Sequence, residues 1–212
     1  MTVKINADTS AGLKFVSDTS GAIDFQSNGS TKMAMDASGN LTAVSFVGSG
    51  ANLTSVPASA LKLLHVQDEK GSTTHGGSAS ATTDHVRDLN TVVTNEITGA
   101  SLGSNRITLP AGTYFIEAYA NGLAVDHHRT FLFNVTDNDI EVLGMQTFSS
   151  AHNTLMSDFA PTYGRFTISG QKVFELRHRT MSAKDQIGLG HYGSASDSRS
   201  SIYATVLIRK IS

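Results

Sequence analysis

The chain has 212 residues, a formal net charge of -2 and no cysteine. The length allows one ordinary domain plus a smaller segment, and the absence of any Lys/Arg run excludes an extended basic surface for nucleic acid. Without cysteine there are no disulfides and no thiolate metal sites, so packing or assembly must stabilise the fold. No run approaches the roughly 18 apolar residues of a membrane span, and the first ten residues do not match a signal peptide. We therefore expect a soluble protein made in a cytoplasm.

Residues 13–48 contain a repeat whose units, written in register, are LKFVSDTSG, AIDFQSNGS, TKMAMDASG and NLTAVSFVG. Three units end in a turn sequence, in which Asp, Asn or Ser bonds its own backbone and Gly supplies a positive φ. These turns are Asp18–Gly21, Ser27–Ser30 and Asp36–Gly39. Between them apolar residues alternate, as in Ile23 and Phe25, which predicts half-buried strands.

Strands this short, each with two inward side chains, cannot bury a self-sufficient core. A homotrimer would close a shared core around an axis and would cover the strand edges. The alternative is a disordered leader, against which the regular turns and the alternation argue. We expect residues 1–44 to form an N-terminal β stalk or anchor, and the glycine-rich residues 45–61 to form a junction. Neither phosphate-binding glycine motif occurs in that junction, so we expect no nucleotide site there.

Residues 62–212 have an all-β pattern of short strands separated by turn clusters, which predicts a β-sandwich or jelly roll. The predicted strands are 61–67, 90–96, 106–109, 113–122, 129–134, 141–148, 163–169, 172–178, 186–191 and 201–211. No amphipathic helix of more than two turns is apparent. A segment of about 150 residues is enough for one sandwich core.

The segment MAMDASGNLTAVSFVGSGANLTSVPASAL, residues 33–61, resembles the stalk sequence of phage tail-fibre proteins and related bacterial fibres. In those proteins a strand that ends in Ser-Phe is followed by Gly-x-Gly-x-x-Leu-Thr-x-Val-Pro-Ala. The matching residues here are Ser45, Phe46, Gly48, Gly50, Leu53, Thr54, Val56, Pro57 and Ala58. The preceding GLKFVSDTSGAIDFQSNGSTKM is similar to repeats in fibre-type proteins of marine and freshwater phages. The resemblance covers the first quarter of the chain and implies a virion protein.

A second resemblance concerns the C-terminal part. ITLPAGTYFIEAYA, residues 107–120, is similar to a strand pair of the tumour-necrosis-factor and complement-type jelly roll. SSIYATVLIRKIS, residues 200–212, resembles the last strand of that family, which lies near the trimer axis. Heads of this type are homotrimers, so the resemblance implies a trimeric jelly-roll head. The long stretch from Gly71 to Asp84 departs from the family pattern and leaves the strand topology open.

Among the eight histidines, His127 and His128 are the candidates for a metal site. Adjacent residues of a strand point to opposite faces, so both can bind one metal only where a loop bends them. One histidine per chain on a trimer axis would form a three-histidine site. The alternative assigns both to solvated loops or interfaces, and we expect no functional metal and no cofactor.

We expect no enzymatic activity, because the chain lacks a G-x-S-x-G nucleophile motif and no carboxylate pair stands out for glycan hydrolysis. Arg177, His178 and Arg179 lie together near a strand end. They predict an anion or glycan contact patch, or else a charged edge that discourages strand pairing. Loop tips are natural places for receptor contacts. The full set of candidates for surface contact is His75, Arg177, His178, Arg179, Tyr192 and Arg199.

We therefore predict a non-enzymatic, trimeric fibre or spike of a bacteriophage virion, on head or tail, that contributes to host attachment through avidity. The expected partners are other copies of the chain, other virion proteins that bind the N-terminal segment, and a host-surface glycan or protein. Nucleic acid and membranes are not expected partners. One alternative is a capsid decoration (cement) protein that stabilises the shell. Another, of a different class, is a glycan-degrading tailspike enzyme. The protein is expected in the virion after assembly in the host cytoplasm.

Overall fold

The computed structural model describes residues 22–43, 61–150, 156–193 and 198–211. These residues contain fifteen β-strands and no helix, which confirms the predicted all-β class. They divide into two compact units, one within residues 1–57 and the other within residues 58–212. In this part of the chain there is also no helix that is long and apolar enough to cross a membrane.

The described part of the smaller unit, residues 22–43, forms a three-stranded antiparallel meander. Its strands are β1 (Ile23–Ser27), β2 (Ser30–Met35) and β3 (Leu41–Ala43). Asn28 and Gly29 form the first turn with φ angles of 53° and 72°, and positive φ at both positions is what a tight hairpin requires. In the second turn the Asp36 carboxylate accepts backbone hydrogen bonds from Ser38 and Asn40, each 2.9 Å long. Both turns form as predicted.

Two predictions about the N-terminal region concern residues that the structure does not describe. The strand and turn predicted in residues 13–21 lie outside the described residues, as do residues 45–60 of the predicted junction. The stalk and junction boundaries therefore stay predictions.

The described residues of the larger unit form twelve strands in two antiparallel sheets. They are β4 (Lys62–Lys70), β5 (Thr83–Val86), β6 (Thr91–Asn95), β7 (Ser101–Gly103), β8 (Arg106–Leu109), β9 (Gly112–Leu123), β10 (Asp126–Asn134), β11 (Asp139–Leu143), β12 (Thr147–Ser149), β13 (Ser157–Ile168), β14 (Lys172–Thr180) and β15 (Ser201–Lys210). The first sheet has the order β13-β9-β15-β4-β6. The second has the order β11-β10-β14-β8-β7, with β12 beside β10 and β5 beside β14.

Each sheet joins strands that are distant in the sequence. The last strand, β15, pairs with both β4 and β9, while β14 pairs with both β8 and β10. Strands that cross between two packed antiparallel sheets in this way form a jelly roll. The predicted jelly-roll sandwich is therefore confirmed.

The core lies between the two sheets and follows the two-residue periodicity of the strands. On β9 the inward residues Tyr114, Ile116 and Ala118 are all fully buried. They pack in one cluster with Phe174 and Leu176 of the facing sheet. Because inward residues alternate with outward ones, the same strands that build the core also present two outer faces.

The structure corrects two strand predictions and adds two short strands. Residues 141–148 form two strands instead of one, separated at Gly144, where a Cβ atom would lie 2.2 Å from the backbone oxygen of Thr130. Residues 186–191 form a turn instead of a strand, because Gln186 has a left-handed φ of 59° and Gly190 donates a backbone hydrogen bond to Ile187. The short strands β5 and β7, at the margins of the second sheet, were not predicted.

Candidate functional site

A cleft of about 280 Å³ opens on the outer face of the β10–β14 sheet. The first residues of β10, the end of β14 and the segment before β12 form its walls. The lining residues are His127, His128, Arg129, Gln146, Arg179 and Met181. None of them carries a carboxylate, whereas glycan hydrolysis requires a pair of carboxyl groups across the bond that is cleaved. The polar groups of the lining are two guanidinium groups, two imidazoles and one amide.

Two arginines face each other at the centre of the cleft. Arg129 on β10 is the direct cross-strand partner of Arg179 on β14, and Asp84 on β5 is the partner of Arg179 on its other side. Arg129 donates a hydrogen bond to the side-chain oxygen of Gln146, and Arg179 donates one of 3.1 Å to Asp84. These four side chains form a row across the sheet, which we call the arginine row. Because like charges directly opposite each other are destabilising, the arginine row has an energetic cost in the unliganded fold.

His127, which lines the cleft, contacts an exposed aromatic ring that is not part of the lining. The His127 side chain is 55% exposed, and its Nδ1 lies 2.9 Å from the carboxylate of Asp126. The ring of Phe148, a residue that is 50% exposed, contacts the His127 imidazole edge to face at 5.1 Å between centroids. An apolar ring thus lies beside the charged wall of the cleft.

His128 differs from His127 because it points inward. It is 2% exposed, and its Nδ1 lies 2.9 Å from Nε2 of the fully buried His178. Burial lowers the pKa of His128 to about 4 and holds the pKa of His178 well below its ordinary value. As the strand geometry predicts, the two adjacent histidines do not share a face. Among the described residues, no three His, Cys, Asp or Glu side chains are grouped so that they could hold a metal ion.

The predicted surface trio separates into three environments. Arg179 lines the cleft. Arg177 pairs with the Glu175 carboxylate at 2.8 Å and lies 3.5 Å over the Phe133 ring, which leaves a quarter of its side chain exposed. The prediction of a surface contact at His178 is wrong, because its side chain is completely buried. The alternation of β14 turns it to the same interior face as Leu176.

Two other candidates for surface contact, His75 and Tyr192, lie next to each other. Their rings stack with centroids 4.5 Å apart, and the ring of His191 is also 4.5 Å from that of His75. This aromatic cluster lies away from the residues that line the cleft. Arg199 is exposed near the start of β15. Surface contact at His75, Tyr192 and Arg199 stays a prediction.

The sequence reasoning missed Arg129, Gln146 and Met181. The position of Arg129 two residues after His127 on a strand was enough to place the two side chains on one face. For Gln146 and Met181 the sequence carries no comparable signal, since their places depend on how β12 and β14 pair with β10.

No protein-family model matches the chain. No curated protein sequence matches it either. Among solved structures, murine APRIL at pH 5.0 is similar with a TM-score of 0.45 and 10% identity, over 71% of this chain and 99% of that chain. The PRD1 vertex protein P5 is similar with a TM-score of 0.40 and 14% identity, over 72% of this chain and 98% of that chain.

Proposed function

We propose that the chain is the subunit of a homotrimeric fibre or spike of a bacteriophage virion, in which the meander belongs to a stalk and the jelly roll forms a head for host attachment. The observation that carries the proposal is a set of exposed aromatic side chains on the outer face of the five-stranded sheet, on the same face as the Arg209–Glu117 ion pair. On β13, Phe159 and Tyr163 are 56% and 48% exposed. Large exposed apolar surfaces of this kind mark interaction sites.

The strand register makes this surface continuous. Tyr163 is the partner of Glu117 on β9, which in turn is the partner of Leu207 on β15. Tyr119 is the partner of Pro161 in the next outward row. We call this outer face of β13, β9 and β15 the aromatic face. Burial of half-exposed aromatic and aliphatic side chains against other copies of the chain would stabilise an oligomer.

The described strands of the meander place several apolar side chains on one face. Ile23, Met35 and Leu41 form one row across its three strands, and Phe25, Met33 and Ala43 form the neighbouring row on the same face. Met35 and Leu41 remain 37% and 50% exposed. Three strands with such a face are marginal as an isolated sheet, which supports assembly of this unit with other copies.

Closed rotational symmetry is the usual way in which identical chains cover identical faces. The choice of a trimer and of a phage particle is supported by the two sequence resemblances, one to fibre stalks and one to trimeric jelly-roll heads. We propose the attachment role because a homotrimer presents three identical heads, whose weak contacts act together through avidity. The N-terminal segment is the part proposed to bind the particle.

Static light scattering of the purified chain in solution tests the assembly. We expect a particle of three times the 22.4 kDa chain mass. A protein that stays monomeric at micromolar concentrations contradicts the proposal. Immunogold labelling of phage particles with an antibody against the jelly roll then tests the attachment role, which requires gold at projecting fibres or spikes. Gold spread evenly over the capsid shell would favour the decoration alternative instead.

A further inference from the structure

We infer that the cleft between β10, β12 and β14 binds one oxyanion group, a carboxylate or a phosphate, carried by a sugar of a host-surface glycan. The inference deepens the proposed attachment function and rests on it for the source of the ligand. The anion chemistry itself rests on the lining of the cleft.

The first argument is the imbalance of charge in the arginine row. The Arg179 guanidinium is paired with Asp84 at 3.1 Å, whereas Arg129 contacts the neutral amide of Gln146. Within the described residues Arg129 has no carboxylate partner, although it lies directly opposite a second arginine. An anion bound between the two guanidinium groups would relieve their repulsion. Planar guanidinium groups also provide the paired N–H donors that suit carboxylate and phosphate oxygens.

Apart from Asp84, two other carboxylates on neighbouring strands do not supply that anion. Asp126 is held by the His127 imidazole, and Asp158 accepts a hydrogen bond from the Thr147 hydroxyl. Neither residue lines the cleft. Arg129 therefore lines the cleft with the neutral oxygen of Gln146 as its side-chain acceptor among the described residues.

The second argument concerns size and apolar surface. A volume of about 280 Å³ lies just below the usual range for ligand pockets, roughly 300–1,000 Å³, and suits a group of the size of one sugar. Met181 lines the cleft and is 47% exposed, and the half-exposed Phe148 ring borders His127. These apolar groups can pack against the C–H face of a sugar ring while the guanidinium groups bind its acidic substituent. A charged wall next to an apolar edge thus favours an acidic sugar over a free inorganic ion.

The methyl group of Met181 provides a local reporter for an NMR titration of the full chain labelled with ¹³C-methyl methionine. The resonance is assigned with Met181→Leu, and the methyl groups of Met145 and Met156 serve as internal references. The probes are glucuronate, glucose 6-phosphate and glucose at constant ionic strength. We expect a saturable shift of Met181 with at least one of the acidic sugars and none with glucose. A response to glucuronate alone identifies a carboxylate ligand, a response to glucose 6-phosphate alone identifies a phosphate ligand, and a response to both identifies a general oxyanion site.

Arg129→Gln tests the residue on which the inference depends. Loss of a charge-assisted hydrogen bond should weaken the acidic sugar about tenfold or more. The matched control is Lys32→Gln, which removes the same charge from an exposed position of the meander and should leave the affinity unchanged. Where Arg129→Gln does not fold, Gln146→Ala replaces it, because it removes the group that holds Arg129 while changing only an exposed side chain.

Two results would overturn the inference. One is the absence of any saturable Met181 shift with either acidic sugar up to tens of millimolar, the range of weak single-sugar contacts. The other is an equal affinity in the folded Arg129 variant. Light scattering on the same samples tests the proposed trimer separately from the inferred ligand binding. A trimer that ignores acidic sugars removes the ligand inference alone, and a monomer that binds them removes the assembly alone.

Discussion

The Nδ1 atom of His128 lies 2.9 Å from the Nε2 atom of His178 in the interior of the jelly roll. One ring must donate and the other must accept, so the accepting nitrogen carries no proton and at most one of the two rings can be charged while this hydrogen bond lasts. The outer nitrogens, Nε2 of His128 and Nδ1 of His178, have no hydrogen-bond partner among the described residues. A second proton would bring a charge into a region where the buried Arg87 already disfavours one. The pair therefore makes the fold sensitive to acid.

We expect the free energy of unfolding to fall as the pH drops from about 6.5 to about 4. Burial lowers the pKa of His128 to about 4 and holds that of His178 well below its ordinary value of 6.5. Below pH 6.5 the unfolded chain therefore binds protons that the folded chain does not. This contribution to stability is complete above pH 6.5 and is lost as the pH falls. For His128 alone the loss is about 2–3 kcal/mol at about pH 4.5. Urea unfolding followed by circular dichroism measures it.

The double variant His128→Asn with His178→Gln is the control for this pH dependence. Asn places a polar atom near the position of Nδ1, and Gln places one near the position of Nε2, so that the hydrogen bond is kept while neither residue titrates. We expect a lower stability at neutral pH but a flatter decline on acidification. An acid slope as steep as that of the unmodified chain would show that other groups cause the sensitivity.

A buried ion pair at the same end of the sandwich makes a second prediction. Arg87 and Asp68 are both fully buried, and Nη2 of Arg87 donates to the Asp68 carboxylate at 3.0 Å and to the backbone oxygens of Leu189 and Tyr203. Arg87→Met leaves the carboxylate buried with only the Lys70 ammonium at 3.2 Å as a charged partner. We expect it to lower the free energy of unfolding by about 3–5 kcal/mol at neutral pH.

Chemical denaturation of a double-mutant cycle checks the origin of that loss. Combining Arg87→Met with Asp68→Leu removes both charges, so the pair should lose much less than the sum of the two single variants. Simple additivity would mean that the two side chains stabilise the fold independently and that the cost of an uncompensated buried charge is small here.

The sequence carried enough information for the sandwich but not for the cleft. Strand alternation and turn residues are local signals, and they were sufficient to place β8, β9 and β10. The buried position of His178 was also accessible, because Phe174 and Leu176 occupy the same phase of β14 and are fully buried. The arginine row could not be predicted from the sequence, because Arg129 and Arg179 are brought together only by the register of two strands that are 50 positions apart. Cross-strand register is set by packing and turns throughout the sheet.

The turn at residues 186–191 could not be predicted from local signals either. Its alternating apolar pattern is typical of a strand, but close packing determines that it forms a turn. A Cβ atom on Gly190 would lie 2.1 Å from the Tyr203 ring, and its φ of 137° is unfavourable for any other residue. We expect Gly190→Ala to destabilise the head by about 3–5 kcal/mol in chemical denaturation. Gly170→Ala, where the added atom would have no neighbour within 4 Å, should change the stability by less than about 0.5 kcal/mol. Equal effects of the two variants would contradict this account of the turn.

The last prediction concerns the aromatic face and distinguishes loss of the trimer from loss of the folded subunit. Leu207 lies in its central row as the cross-strand partner of Glu117. Leu207→Lys adds an ammonium to a partly exposed position beside the Arg209–Glu117 ion pair, so the subunit should remain folded, but in an assembled trimer the ammonium would be buried at a cost of several kcal/mol. Light scattering should then report the 22.4 kDa monomer with an unchanged strand spectrum by circular dichroism. Ile140→Lys is the matched control, because Ile140 is 44% exposed on the outer side of the other sheet and its replacement should leave the trimer intact. A Leu207→Lys protein that still assembles would place the subunit contact on a different face.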